Sequence, residues 1–116
     1  MPQLRRLLAD RMDLAFRHQV ETSALRRVSE IMAVEHELFD RLWYGRSEAS
    51  IGDERPEGYS AEIWATAQAA ARRIEEQYGV DLLRKDTKTQ FDWGMLSGKI
   101  SAIRWVLGAE WDFLDS

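Results

Sequence analysis

Apolar residues recur along almost the whole chain at steps of three and four, which is the spacing that places them on one side of an α-helix. This pattern predicts four helices, over about 2–18, about 23–44, about 61–78 and about 87–107. We therefore expect an all-α fold, a single domain over residues 1–116 in which about four mostly antiparallel helices form a bundle and the C-terminal tail folds back.

Residues that start and stop helices lie at several of the predicted boundaries. Thr22 or Ser23 can cap the second helix, and Ser60 can cap the third. Gly79 is a natural terminator for the third helix, and residues 80–86, VDLLRKD, fit a short helical turn that leads to the last one. Two pairs before the last helix have the spacing of a capping box: Thr87 with Gln90, and Thr89 with Asp92.

Residues 45–59, GRSEASIGDERPEGY, interrupt the helical pattern. Glycine, serine, aspartate and proline cluster there without periodicity, so the second helix should end by Gly45. A connection of this length is unusual in a compact domain. We therefore predict a loop that is either mobile or functional.

Composition removes several classes of function. The chain has no cysteine, which excludes disulfides, thiolate catalysis and cysteine-ligated metals. Its net charge of −4 and its short basic clusters argue against nucleic-acid binding. No apolar run approaches the ~20 residues that span a bilayer, and the first residues lack the features of a signal peptide. We expect a cytoplasmic protein without membrane contact or cofactor.

Small residues form a stripe along the last predicted helix, where Gly94, Gly98 and Ala102 stand four apart. A glycine inside a helix costs about 1 kcal/mol relative to alanine, so two of them indicate a compensating close approach. One interpretation is a tight crossing inside the fold, against the alanine-rich third helix. The other is that a ligand or a second chain lies in the groove.

Tryptophan and the tail extend this candidate surface. Trp105 points away from the apolar side of the last helix, and the tail that follows Gly108 alternates apolar with acidic residues. Aromatic side chains such as Trp111 and Phe113 bury much area, so the tail either plugs one end of the bundle or docks on a neighbouring subunit or partner. The candidate interaction residues are Gly94, Gly98, Ala102, Trp105, Trp111 and Phe113.

Glu35 and His36 interrupt the apolar stripe of the second helix. A buried carboxylate or imidazole needs a partner, so they form either a satisfied polar pair or an acid–base or metal site. Di-metal bundles use a Glu-x-x-His motif, and alanine precedes each histidine by three residues here, so we expect no metal. The charged residues Glu37, Arg41, Lys99 and Arg104 are expected on the exposed surface.

Arg11 and His18 enclose six residues in RMDLAFRH. This spacing resembles the Arg-x(4–6)-His motif of HEPN domains, small helical proteins of which many are metal-independent ribonucleases. The resemblance implies that Arg11 and His18 would act at a phosphodiester. Met12 stands where that family usually has a polar residue.

The C-terminal block GKISAIRWVLGAEWDFLD, residues 98–115, is similar to the ends of small bacterial proteins that finish in Gly-Lys-Leu-Ser-Ala-Leu-Arg-Trp-Val-Leu-Gly-x-Glu-Trp-Asp-x-Leu-Asp-Thr, with Ile100 and Ile103 in place of leucine and Ser116 in place of the final threonine. The resemblance implies a bacterial origin and no assigned activity. We predict a non-enzymatic interaction or assembly protein, a homo-oligomer or one with a protein partner. The alternative is a small helical enzyme that uses Arg11 with His18, or Glu35 with His36.

Overall fold

A computed structural model describes residues 2–47 and 54–111 of the chain. Within these residues the secondary structure is helical, without strands, and the predicted all-α fold is confirmed. The structure has five helices in these ranges: α1 Pro2–Thr22, α2 Val28–Ser47, α3 Ala61–Tyr78, α4 Val80–Asp86 and α5 Gln90–Val106. The short helix α4 is the predicted turn VDLLRKD. No helix of the described ranges combines the length and the apolar character that crossing a bilayer requires.

Local capping explains three of the helix boundaries. The Ser60 hydroxyl accepts the Ile63 N–H at 3.1 Å and starts α3. Gly79 ends α3 with a φ of +86°, a conformation that glycine adopts without strain. The Thr89 hydroxyl accepts the Asp92 N–H and donates to the Asp92 carboxylate at 2.7 Å, so Thr89 caps α5 and its predicted partner Asp92 is the one that it contacts.

The predicted boundary between the first two helices is wrong. Helix α1 continues to Thr22, whose hydroxyl donates to the His18 carbonyl at 2.8 Å and therefore does not cap a following helix. Residues 23–27 form the break, and the Arg27 N–H donates to the Glu30 carboxylate at the start of α2. At its other end α2 passes through Gly45 to Ser47, so the first three residues of the predicted loop are helical, and residues 48–53 of that loop lie outside the described residues.

Helix α2 is the centre of the fold, because it packs against α3, α4 and α5. Leu38 and Leu42 of α2 form a buried cluster with Leu96 and Ile100 of α5. Three further buried side chains come from the two helices on the other side of α2: Ala71 and Ile74 from α3, and Leu83 from α4. The bundle is therefore built from α2 to α5.

Helix α1 stands apart from this bundle. It packs against none of the other four helices, and none of its residues is buried. The radius of gyration is 19.0 Å, whereas a compact domain of this length has about 13 Å. The apolar face that the sequence predicts for α1 is present, but nothing in the described part of the chain covers it.

Candidate functional site

Glu35 belongs to an ion pair that joins α2 to α5. Its carboxylate accepts from Arg104 Nε and lies 2.9 Å from Arg104 Nη2. The same guanidinium lies 5.3 Å from the ring centre of Phe39, in cation–π geometry. Both charged side chains are largely buried, so the prediction that Arg104 is a surface charge is wrong. Glu35 is engaged in holding two helices together, while Lys99 is exposed as expected.

His36 faces a different neighbour. Its imidazole is 67% exposed, and Nε2 lies 3.5 Å from a carboxylate oxygen of Asp40, one turn further along α2. Asp40 also accepts from the Tyr78 hydroxyl at 3.4 Å and lies 4.0 Å from Arg73 Nη1, both on α3. The structure therefore does not bring Glu35 and His36 together, because one is paired across to α5 and the other belongs to a cluster with α3.

Asp40 is the buried carboxylate of α2, with 4% of its surface exposed, and sequence reasoning missed it. Burial of the Tyr78 phenol, reinforced by the negative charge of Asp40, raises the pKa of Tyr78 above its ordinary value. Asp40 and Arg73 line a groove of about 520 Å³ between α2 and α3 whose other walls are mostly apolar. The available signal was an acidic residue four positions after His36 and three before Trp43, which is the spacing of neighbours on one side of a helix.

Arg41 forms the strongest polar contact between helices. Its guanidinium donates to both oxygens of Asp86 at the end of α4, at 2.9 and 2.7 Å, and a third bond of 3.2 Å reaches Glu37. The hydrogen bond to Asp86 is the main reason that the pKa of Arg41 is raised. The expected exposed position of Arg41 is wrong: it lies three residues after buried Leu38 and therefore beside the core stripe.

The charges in the interior are thus used to join α2 to its three neighbours. Within the described ranges, no buried side-chain nitrogen or oxygen lacks a hydrogen-bond partner. The same residues contain no group of three His, Asp or Glu side chains that could hold a metal ion. These interactions account for Glu35 and for the neighbours of His36 without invoking chemistry on a substrate.

Arg11 and His18 lie on the exposed helix α1. They are seven positions apart, which places them on one face and about 10 Å apart along the axis. Because α1 packs against no other described helix, they stand apart from the Asp40 and Glu35 clusters. Neither lines the groove that holds Asp40.

The stripe Gly94, Gly98 and Ala102 is exposed along α5. A Cβ atom added at Gly94 or Gly98 would meet nothing within 4 Å, and α5 does not pack against α3. The predicted tight crossing with the alanine-rich helix is therefore wrong. The alternative prediction, a groove that another chain occupies, remains a prediction.

The close approach that requires glycine occurs at Gly45. A Cβ there would lie 2.5 Å from Trp93 Cζ3 and 3.0 Å from Thr87 Cγ2, because the Trp93 ring packs directly on the backbone of α2. Sequence reasoning assigned Gly45 to the end of a helix and missed this contact. A glycine followed by the loop composition of 46–59 gave no local signal for a packing role.

Trp105 and Trp111 form an exposed aromatic pair beside the α5 stripe. Their ring centres are 5.7 Å apart in an edge-to-face arrangement, and more than half of each side chain is exposed. The Ser101 hydroxyl donates to the Trp111 carbonyl at 3.3 Å, so the chain folds back along α5 after Gly108. As far as Trp111 the tail lies on the surface and plugs no end of the bundle. Phe113 and the rest of the tail lie outside the described residues.

The likeness of the C-terminal block to small bacterial proteins stays a prediction, because it rests on residues 98–115 alone. Comparisons of this chain with protein-family models, with curated protein sequences and with solved structures found no match.

Proposed function

We propose that this protein is a non-enzymatic helical interaction protein that binds another polypeptide through the outer side of α5. We define the α5 surface by the residues Gly94, Gly98, Ala102, Trp105 and Trp111. A partner helix that lies along the stripe would approach the α5 backbone closely, and the two indoles would border it. A bacterial origin and a cytoplasmic location belong to the same proposal.

The observation that carries the proposal is the open space at Gly94 and Gly98, where an added Cβ would touch nothing. Glycine weakens a helix by about 1 kcal/mol at each position, and no contact within the described chain compensates for that loss. Gly45 gives the contrast, since its missing side chain makes room for Trp93. Close contact with a second polypeptide is the compensation that we assign to the α5 stripe.

The exposed tryptophans support the same interpretation. Trp is enriched among the residues that dominate the binding energy of protein interfaces. Trp105, Val106 and Trp111 line an open, mostly apolar groove of about 510 Å³ together with Ala102. An apolar helix face fits such a groove, and the groove lacks the charged groups that acid–base chemistry needs.

The ribonuclease alternative has less support. Arg11 and His18 lie on an isolated helix, and no other described helix packs beside them to form a cleft. Glu35 is already paired with Arg104, which removes it from a shared site with His36.

A pair of leucine variants on α5 tests the proposal. Gly98→Leu fills the stripe without a clash in the chain itself, whereas Lys99→Leu adds the same side chain at an exposed position off the stripe. Each immobilised variant and the unmodified protein are incubated with bacterial extract, and the retained proteins are quantified by mass spectrometry. We expect a specific protein to be retained by the unmodified chain and by Lys99→Leu and to be reduced at least tenfold with Gly98→Leu.

Equal retention by all three chains, or no specific protein retained by the unmodified chain, would contradict the proposal. Hydrolysis of RNA by the purified protein that both Arg11→Ala and His18→Ala abolish would favour the ribonuclease alternative instead. Circular dichroism of each variant checks that the helices are intact.

A further inference from the structure

Helix α1 carries a ridge of large apolar side chains that nothing covers. We define the α1 row as the five residues that stand four apart along the helix: Leu4, Leu8, Met12, Phe16 and Val20. Each is between 46% and 74% exposed, and Leu7, three residues after Leu4 at the border of the row, is exposed as well. An uninterrupted row of this kind is the surface with which one helix packs into the grooves of another.

The exposed area is of the size that a stable interface uses. Six large apolar side chains that are about half exposed present on the order of 250–500 Å² of apolar surface. One side of a standard protein interface buries about 800 Å², of which somewhat more than half is apolar. The whole chain exposes 9612 Å², whereas a compact monomer of this mass exposes about 6500 Å². The α1 row therefore has the area of an interface that lacks its partner.

Met12 is the middle residue of the row, and in an antiparallel pair a two-fold axis beside it relates the two halves. The axis sets Met12 against Met12 of a second copy and Leu8 against Phe16, so the central side chains each meet a large apolar side chain. Because each step of four residues turns about 40° around the helix, Leu4 and Val20 lie about 160° apart and border this contact from opposite sides. Self-complementarity under a two-fold axis is the condition for a closed dimer.

Charge favours the antiparallel direction. Arg5 and Arg6 lie near the start of α1, and no acidic residue precedes Asp10. Parallel helices would bring four arginines together at one end. Antiparallel helices separate these two pairs, set each near the end of the second copy that carries Glu21 together with Arg17 and His18, and oppose the two helix dipoles.

We infer that α1 is a dimerisation helix, through which two copies of this chain pair antiparallel along the α1 row. The dimer leaves the α5 surface free, since the two lie on helices that do not contact each other. The inference thus goes beyond the proposed function and can hold or fail without it.

Cysteine cross-linking tests the pairing directly, because the chain has no cysteine of its own. On mild oxidation, Met12→Cys should form a disulfide-linked dimer, since residue 12 meets itself across the axis. Leu8→Cys alone should not, whereas an equimolar mixture of Leu8→Cys and Phe16→Cys should. Arg6→Cys, on the other side of α1, is the matched control and should stay unlinked. Non-reducing electrophoresis at one fixed protein concentration measures the cross-linked fraction of the three single variants and of the mixture.

Sedimentation equilibrium tests the contribution of the row to affinity. We expect the unmodified chain to dimerise and Leu8→Gln to raise the dissociation constant at least tenfold. Arg6→Gln should leave it unchanged; leucine, arginine and glutamine have similar helix propensities, so the helix itself is preserved in both variants. Gly98→Leu should also dimerise normally, which separates this inference from the proposal for α5.

Three results would overturn the inference. The first is a monomer at every concentration, with a radius of gyration near 13 Å in X-ray scattering, which would mean that α1 folds back onto its own bundle. The second is equal cross-linking of Leu8→Cys, Met12→Cys and Phe16→Cys each with itself, which would indicate parallel helices. The third is an unchanged dissociation constant for Leu8→Gln.

Discussion

Helices α1 and α2 have similar lengths and similar patterns of apolar and charged residues, but they differ in what surrounds them. They have 21 and 20 residues, and both carry apolar residues at helical spacing among charged ones. Helix α2 packs against three helices and buries Leu38, Asp40 and Leu42, whereas α1 buries nothing. An amphipathic pattern therefore predicts that a helix has an apolar face, and it does not say which part of the molecule, or which other molecule, covers that face.

The charged residues of the two helices differ in the same way. Arg41 of α2 and Asp86 of α4 form a bidentate pair with side chains only 15% and 9% exposed. Arg17 and Asp13 of α1 are just as close, at 3.0 Å, but more than half exposed. Water screens an exposed ion pair, so such a pair contributes little to the stability of the fold. Breaking a buried ion pair instead leaves an uncompensated charge in the interior.

The largest difference should appear when matched leucines are truncated. Leu42→Ala should lower the free energy of unfolding by about 2–5 kcal/mol, because it leaves a cavity between α2 and α5. Leu8→Ala should change it by less than about 0.5 kcal/mol at concentrations where the chain is monomeric. Urea denaturation followed by circular dichroism measures both. Similar losses for the two variants would mean that α1 packs on the bundle after all.

The buried ion pair should give the next largest effect. Asp86→Ala should lower the free energy of unfolding by about 2–3 kcal/mol, less than the ~3–5 kcal/mol typical of a fully buried pair, because Glu37 still contacts Arg41. Asp13→Ala, which removes the exposed pair of α1, should leave unfolding essentially unchanged. The same denaturation experiment compares them, and a large effect of Asp13→Ala would contradict the contrast between the helices.

Two glycines allow a smaller and more specific test. Gly45→Ala should destabilise the protein by about 1–2 kcal/mol, since the new methyl group meets the Trp93 ring and the strain outweighs the gain in helix propensity. Gly98→Ala meets no atom within 4 Å and should stabilise it by up to about 1 kcal/mol. Thermal unfolding of both variants checks the opposite signs. A stabilising Gly45→Ala would show that Trp93 moves aside at little cost.

The smallest effect concerns alkaline pH. The pKa of Tyr78 is raised by burial and by the nearby Asp40 carboxylate, so the folded state holds the phenolic proton more tightly than the unfolded state does. This contribution to stability is complete below pH 10 and is lost as the pH rises above 10 through the pKa of the folded state. Urea denaturation between pH 9 and 11 should show a decline that is shallower in Tyr78→Phe. Identical slopes would mean that Tyr78 does not interact with Asp40 in solution.

Part of the candidate site followed from local sequence and part did not. The stripe of small residues on α5 and the outward direction of Trp105 could be read from spacing along one helix, but the exposure of the stripe could not. Pairs between distant residues could not, and for that reason Arg41 and Arg104 were expected on the surface. A long cationic side chain next to an apolar stripe becomes buried only when a carboxylate of another helix lies opposite, as Asp86 and Glu35 do.

The sequence by itself determined what depends on neighbours within a few residues. Helical periodicity decided the all-α class, and the capping groups Ser60, Gly79 and the Thr89–Asp92 pair decided helix ends, because each acts on backbone groups within one turn. Only the tertiary structure decided that Gly45 packs under Trp93, that α2 is central and that α1 is left uncovered. Those outcomes depend on which faces meet in space, and the pattern along a single helix carries no information about the surface opposite it.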